Sequence, residues 1–177
     1  PVNLHPYATS HHAGEDAVRS AHQRKEIYGV VIRLSNVIGT PVNNDVNCWM
    51  LLVNDLCRQA VANRRLVMHS TGQQRRDFVT LYDVVRAISH LLTLPEKQIG
   101  NGIFNVGGNW APRVIEVVEL IQHRCFEVLG YTPEIERPEL FSGELDFELD
   151  YRIDKLLSTG FSLDGNYNSE IDATLMF

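Results

Sequence analysis

The chain has 177 residues, of which 44% are hydrophobic and 21% charged, and its formal net charge at pH 7 is −6. This length suits one sizeable core or a piece of a larger domain, and the acidic balance predicts no nucleic-acid partner. The longest uninterrupted apolar run, residues 48–53, is far shorter than the ~20 residues of a membrane-spanning helix, so no membrane span is expected.

The first predicted element is a helix over residues 9–25, where Ala13, Ala17 and Ala21 recur at four-residue spacing and form one small, flat face. The hydrophobic pattern then predicts a strand over 28–37, a helix over 49–61, a strand over 66–69 and an extended segment at 78–79. It continues with a helix that begins at Asp83 and ends at Pro95, a strand over 103–106, a helix over 114–128 and a short helix over 154–157, capped by Asp154. Strands alternate with helices, which predicts an α/β fold.

The remaining composition predicts little chemistry. Residues 138–150 are acidic and irregular, and are expected to run over the surface. Cys48, Cys57 and Cys125 are odd in number and scattered, which favours reduced thiols over a disulfide framework or a zinc site. No metal site is expected, although four histidines crowd the N-terminus. The segment PVNLHPYATS lacks the features of a signal peptide, so we expect a cytoplasmic protein.

Tyr7 and His11 stand four residues apart in 5-HPYATSHHAGEDAV-18, so on a helix they would project from the same side. Such a pair can act together on one small molecule. A tyrosine that serves as acid and base near pH 7 needs a positive charge nearby, which lowers its pKa from the ordinary value of about 10. By spacing alone, a buried tyrosine beside a solvated histidine is the commoner arrangement.

Five segments, in this order, resemble the extended short-chain dehydrogenase/reductase family, the nucleotide-sugar epimerases and dehydratases. They are PYATSHHAGEDAV, RLSNVIGTP, STGQQRRDFVTLYDVVRAI, IFNVGGNWAPRVIEVVELI and DYRIDKLLSTGF. The first is similar to the family's Tyr-x-x-x-Lys segment, the second to R-x-x-N-V-x-G-P and the third to G-x-G-x-x-x-R-D-F-V. The resemblance covers nearly the whole chain from the active-site tyrosine onward.

The resemblance implies a role for several residues. Tyr7 matches the catalytic acid/base that exchanges a proton with a sugar hydroxyl, and with His11 it would also contact the NAD or NADP cofactor. Asn36 matches an asparagine that contacts the sugar nucleotide, although it could instead satisfy its own turn. Arg76 matches the arginine that pairs with the substrate diphosphate. We expect Asp77 to orient Arg76 and Asp83 to cap the next helix.

Two departures from the family pattern bear on activity. His11 stands where the family has a lysine, and the nearest lysine is Lys25. A unit charge about 4 Å from a phenolate is worth roughly 4 kcal/mol at an effective dielectric near 20, which a neutral histidine would not supply. The glycine-rich dinucleotide cradle is also absent, because GGN at 107–109 lacks the G-x-G-x-x-G spacing. We therefore expect this chain alone to bind no NAD or NADP.

The resemblance implies the C-terminal portion of a Rossmann-type doubly wound domain plus a smaller α/β substrate-binding domain. Residues 1–40 would end the cofactor domain, and 41–177 would be mainly substrate-binding, with about 76–94 returning to the Rossmann-like core. The expected activity is that of an isomerase or lyase on a nucleotide-diphosphate sugar, in a homodimer formed through helix 9–25. Two alternatives remain: a degenerate scaffold or regulator that binds a nucleotide sugar or dinucleotide without turnover, and an unrelated α/β interaction domain.

Overall fold

The computed structural model describes residues 5–140 and 148–177. It is an α/β structure of short parallel strands covered by helices. The elements are α1 (Pro6–Gln23), β1 (Val31–Leu34), β2 (Asn36–Ile38), α2 (Leu52–Asn63), β3 (Arg65–Val67), β4 (Phe78–Thr80), α3 (Leu81–Leu92), α4 (Glu96–Ile99), β5 (Ile103–Val106), α5 (Val114–Leu129), β6 (Glu134–Glu136), α6 (Asp154–Leu157) and α7 (Tyr167–Met176).

The strand predicted over residues 28–37 is in fact two strands, because the chain changes its pairing partner at Ser35. The Ser35 N–H donates to the Val106 carbonyl (3.0 Å), whereas the Asn36 N–H donates to the Asp77 carbonyl (3.1 Å). Thus β1 pairs with β5 and β2 with β4, while β3 pairs with β6, and all three pairs are parallel. Parallel partners need a crossover connection, usually helical, which accounts for the alternation in the sequence.

Two apolar cores lie under the helices. The first core joins α2, α5 and α7 to β3, and its fully buried side chains include Leu56, Leu66, Ile121 and Ile171. The second core joins α3 and α6 to β5, and its buried side chains include Ala87, Phe104, Val106 and Leu156. Helix α5 buries the apolar stripe that its sequence predicts, because burial of a continuous stripe drives a helix onto a sheet. The prediction was wrong at Val61 of α2 and at Val85, Ile88 and Leu92 of α3, which are exposed.

Helix α1 begins and ends earlier than the predicted 9–25. Pro6 occupies the first turn, where its missing N–H costs no hydrogen bond, and the His5 side chain accepts from the Tyr7 N–H. None of its residues is buried, and Ala13 and Ala17 are exposed. The small face of α1 therefore has no covering partner within residues 5–140 and 148–177.

The capping residues of two helices were predicted wrongly. The cap of α3 is Thr80, whose hydroxyl accepts from the Asp83 N–H (3.1 Å), so Asp83 lies within the first turn. Helix α6 begins at Asp154, and its capping position is Ile153, without a side-chain hydrogen bond. In both segments the side chain that looks like a cap is instead the helical residue whose position favours a negative charge near the N-terminus.

Three elements were not predicted: α4, β6 and α7. Part of the surface segment predicted over 138–150 lies outside the described residues. The three cysteines are free thiols, as predicted, with Cys57 and Cys125 buried. No helix in the described part of the chain is long and apolar enough to cross a bilayer.

Candidate functional site

The Tyr7 and His11 rings lie against each other on the first turns of α1, as their spacing predicts. Their centroids are 4.0 Å apart, and His11 Nδ1 is 2.9 Å from the Tyr7 carbonyl oxygen. Because a carbonyl only accepts, Nδ1 must carry the proton, which leaves Nε2 as the acceptor of a neutral ring. Tyr7 is 67% exposed, so the buried tyrosine considered as an alternative is wrong.

Helix α1 runs antiparallel to β1, which places its N-terminal turns beyond the carboxyl end of that strand. Near the end of α1, His22 Nε2 lies 3.1 Å from the carbonyl oxygen of Gly100, just before β5 begins. Closer to the N-terminus of α1, the Glu15 carboxylate accepts two hydrogen bonds from the Arg33 guanidinium in β1 (2.6 and 3.0 Å). Ligands of open α/β sheets bind outside the carboxyl ends of the strands, so Tyr7 and His11 stand on the appropriate side.

Asn36 begins β2 at that same edge. Its side-chain Nδ2 donates to the Asp77 carbonyl (2.9 Å), so the side chain binds a neighbouring strand and does not satisfy its own turn. Its carboxamide oxygen makes no hydrogen bond within the described residues. An oxygen held in this way can accept from a ligand hydroxyl.

Arg76 lies on the rim between two depressions in the surface. The first, of about 380 Å³, is also lined by Asn36 and Tyr151. The second, of about 300 Å³, is lined by apolar side chains, including Leu52 and Val114, and by polar ones. Arg76 is exposed, and its backbone N–H donates to the Pro112 carbonyl (3.2 Å). Its guanidinium makes no hydrogen bond or ion pair with any residue that the structure describes.

Asp77 is structural, as predicted, but it does not orient Arg76. Its buried carboxylate accepts from the N–H groups of Gly108 (2.9 Å) and Trp110 (3.2 Å), which fixes the loop after β5. A side chain at Gly108 would collide with the Phe78 carbonyl and the Tyr167 hydroxyl. The loop therefore closes on its own chain, and its glycines do not form an open cradle for a pyrophosphate.

Asp83 also has a different role from the predicted cap. Its carboxylate accepts from the N–H groups of Asp164 (3.0 Å) and Gly165 (2.8 Å) and pairs with Arg86 (2.7 Å). This buried group ties α3 to the segment that leads into α7. Arg75, next to Arg76, donates to the Ala111 carbonyl (3.1 Å), so it helps to hold the same loop.

Tyr151 was missed as a site residue. Its hydroxyl donates to the Arg33 carbonyl (2.8 Å), and its ring lies in the wall shared with Asn36 and Arg76. Burial raises the pKa of the Tyr151 phenol, and the nearby Asp77 carboxylate raises it further, so Tyr151 holds its proton. Only its place in DYRIDKLLSTGF, beside the matched Asp and Lys, signalled that this segment belongs to the site.

The residues present fit a nicotinamide cofactor in part. Tyr7 and His11 present a phenol and a ring nitrogen that could hydrogen-bond to a ribose, and both are accessible. The described residues offer no open glycine-rich turn at a helix N-terminus for the pyrophosphate. No group of three or more potential ligands for a metal ion occurs in residues 5–140 and 148–177.

The chain matches the model of the NAD dependent epimerase/dehydratase family over residues 2–107. The chain belongs to this family. The hypothesis of an unrelated α/β interaction domain is therefore wrong.

Individual relatives of this epimerase/dehydratase chain cover most of it. It is 33% identical over 123 residues to mouse dTDP-D-glucose 4,6-dehydratase, and 29% identical over 124 residues to a putative UDP-glucose 4-epimerase of Methanocaldococcus jannaschii. These matches cover 69% and 70% of this chain but only 32% and 38% of the two relatives. The chain thus spans about a third of the length of these relatives.

Solved structures share the fold across 99% of this chain. RMD from Pseudomonas aeruginosa complexed with NADPH superposes with a TM-score of 0.76 at 20% identity, and the match covers 57% of that protein. UDP-N-acetylglucosamine 4-epimerase from Methanobrevibacter ruminantium M1, in complex with UDP-N-acetylmuramic acid, gives a TM-score of 0.74 at 20% identity, with 54% covered. At this identity the likeness shows the Rossmann-type fold alone.

Proposed function

We propose that this chain is the substrate-binding half of an NAD(P)-dependent nucleotide-sugar epimerase or dehydratase that transiently oxidises a sugar hydroxyl. The observation that carries the proposal is the exposed Arg76 guanidinium, which has no partner among the described residues and stands between two depressions. A planar guanidinium binds phosphate oxygens through paired hydrogen bonds. A diphosphate at Arg76 would direct the nucleoside to one side and the sugar to the other.

The two depressions differ in their lining and position, as separate sites for a nucleoside and a sugar require. The depression with Leu52 and Val114 has an apolar lining that suits a flat base, together with polar groups that could bind its edge. The depression with Asn36 and Tyr151 lies on the side of the carboxyl end of β1, toward which α1 directs Tyr7. The sugar would therefore lie between Asn36 and the Tyr7 hydroxyl.

In this arrangement Tyr7 moves the proton of the reacting sugar hydroxyl. When bound, a nicotinamide supplies the acceptor for the hydride. His11 is a positioning group for the Tyr7 ring, since the rings are in contact and Nδ1–H is committed to the Tyr7 carbonyl. Its Nε2 is the atom available to a ribose hydroxyl. Asn36 would accept from a second sugar hydroxyl and so fix the face presented to Tyr7.

The two apolar cores support the proposed division into domains. We assign residues 1–40 to the end of the cofactor domain and 41–177 mainly to the substrate-binding domain, with about 76–94 returning. Helix α3 lies in the second core with β5, which pairs with β1, whereas α2, α5 and α7 share the first core. A homodimer through the exposed face of Ala13 and Ala17 completes the proposal.

A second candidate is a scaffold or regulator that binds a nucleotide sugar or dinucleotide without turnover. It is favoured by His11, which stands where a family lysine would bring a permanent positive charge beside the phenol. Hydride transfer to NAD or NADP by a longer form of this protein that contains the dinucleotide-binding half distinguishes the two. Turnover supports the enzyme, and substrate binding without turnover supports the scaffold.

Substitution of Arg76 tests the binding site in the chain itself. In calorimetric titrations with UDP and dTDP, Arg76→Ala should weaken binding by about 1.5–3 kcal/mol, because charged hydrogen bonds to the diphosphate are lost. Binding of uridine or thymidine should be unchanged, since these nucleosides lack the diphosphate. Arg19→Ala, a partly exposed arginine on α1 that lines neither depression, is the matched control. A variant that binds the diphosphates as tightly as the parent would show that Arg76 is not their partner.

A further inference from the structure

The N-terminal half of α1 has no apolar anchor and no polar contact to another element in the described part of the chain. Between Pro6 and Gly14, the hydrogen bonds and ion pairs of side chains are all made within α1 or to His5 at its cap. The C-terminal half is held by contacts of its own. The Val18 side chain packs against Gly29, where a larger residue would collide with it, and His22 Nε2 lies within hydrogen-bond distance of the Gly100 carbonyl oxygen.

Glu15 marks the boundary between these halves. It is on the same face as His11 and Tyr7, four and eight residues along the helix, and its side chain is 20% exposed. The Arg33 guanidinium binds it through Nε (3.0 Å) and Nη2 (2.6 Å). The Arg33 backbone carbonyl in turn accepts from the Tyr151 hydroxyl (2.8 Å), so Arg33 contacts both α1 and the wall of the depression.

We propose that the Glu15–Arg33 pair is a positioning pair, which sets the place of Tyr7 and His11 relative to Asn36 and Tyr151. The catalytic role of Tyr7 rests on the proposed function, whereas the position of α1 relative to β1 and β2 does not depend on it. Arg33 is three residues from Asn36 in sequence, and it connects the helix that carries the phenol to the strand end that carries the amide.

The length of α1 makes this pair sensitive. Glu15 and Tyr7 are separated by about 12 Å at 1.5 Å per residue, so a tilt of roughly 10° about Glu15 moves Tyr7 by ~2 Å. Misplacement of a reacting group by about 1 Å can cost on the order of a hundredfold in rate. An isolated surface ion pair contributes little to global stability. The expected consequence of breaking this pair is therefore displacement of α1 and not unfolding.

Two measurements on the chain test the proposal with Glu15→Gln, Arg33→Gln and the double exchange Glu15→Arg with Arg33→Glu. In hydrogen exchange, protection of α1 amides should fall about fivefold in each single variant, while β5 amides are unchanged. The double exchange should restore protection. Glu26→Gln is the matched control, because Arg24 and Glu26 form a similar two-bond pair that is local in sequence.

The second measurement reads position directly. A nitroxide attached to Ser10→Cys, in a Cys48→Ser background, should broaden the amide signals of residues 34–36 when Glu15 and Arg33 are both present. The broadening should be weaker in each single variant. The double exchange should restore it. Unchanged broadening and protection in both single variants would overturn the proposal, as would a double exchange that restores neither. Failure of the proposed function would appear separately, as unchanged hydride transfer by Tyr7→Phe in a longer form of the protein.

Discussion

Helices α1 and α5 are of similar length but are held in the molecule by different interactions. Helix α5 buries the apolar side chains at 114, 115, 117, 118, 121 and 125, whereas none of the 18 residues of α1 is buried. Apolar burial is non-directional and insensitive to pH, while a charged pair such as Glu15–Arg33 is directional and titrates. The helix that carries the candidate catalytic groups is thus the one with the weaker and more adjustable attachment.

The largest expected effect is in α5. Ile121→Ala removes a fully buried side chain from the first core and should lower the free energy of unfolding by about 2–5 kcal/mol. Val18→Ala truncates a half-buried side chain of α1 and should lower the free energy of unfolding by well under half as much. Urea denaturation of both variants measures the difference. Equal losses would mean that α1 contributes to the core as α5 does, and the comparison would fail.

Acid should release α1 before α5. The hydrogen bond from Arg33, with smaller contributions from the charges of Arg33, His12 and Arg19, lowers the pKa of Glu15. The pair therefore stabilises the docked helix above the ordinary glutamate pKa of about 4.3, and this contribution is lost as the pH falls through the lower folded value.

Hydrogen exchange of α1 and α5 amides between neutral and acidic pH measures this release. Protection of α1 should decrease below about pH 4, while α5 keeps its protection until the core itself unfolds. In Glu15→Gln, protection of α1 should be low and independent of pH over the same range. A parent helix whose protection does not respond to acid would show that Glu15 does not hold it.

The smallest effect on stability is expected at the exposed small face of α1. Ala17→Glu should change the free energy of unfolding by no more than about 0.5 kcal/mol, because the side chain enters solvent. If this face forms the proposed homodimer, sedimentation should nevertheless show a shift toward monomer, because a charge is then buried against a second helix. Gln23→Glu, on another side of α1, is the control. An unchanged oligomeric state in folded Ala17→Glu would exclude this face as the interface.

The sequence predicted the elements that bury a clear apolar stripe. Helix α5 and strand β5 lie where their pattern places them, because burial of that stripe decides their structure. Helix α7 was missed, since among its ten residues only Ile171, Thr174 and Leu175 are buried, too few to make a pattern. Strand β6 has the sequence EIE, and only pairing with β3 makes it a strand.

Within the candidate site, the placement of residues that local spacing determines was predicted, whereas contacts between distant segments were missed. Tyr7 and His11 meet because they are one helical turn apart, and Arg76 stands beside Asp77 by sequence alone. The partners of Asp77 and Asp83 come from residues after β5 and before α7, and no local pattern reveals them. The same is true of Tyr151, whose place depends on a hydrogen bond to Arg33, far away in the chain.

The change of partner at Ser35 also affects how the chain acquires its structure. The two strands of each described pair are far apart in the sequence, as Val31 beside Ile103 and Arg65 beside Glu134 show. Loop-closure entropy therefore opposes each pairing. During synthesis β1 emerges from the ribosome well before β5 exists. Its backbone N–H and C=O groups stay unpaired until β5 is available, and during that interval a nascent chain is most exposed to aggregation and to chaperones.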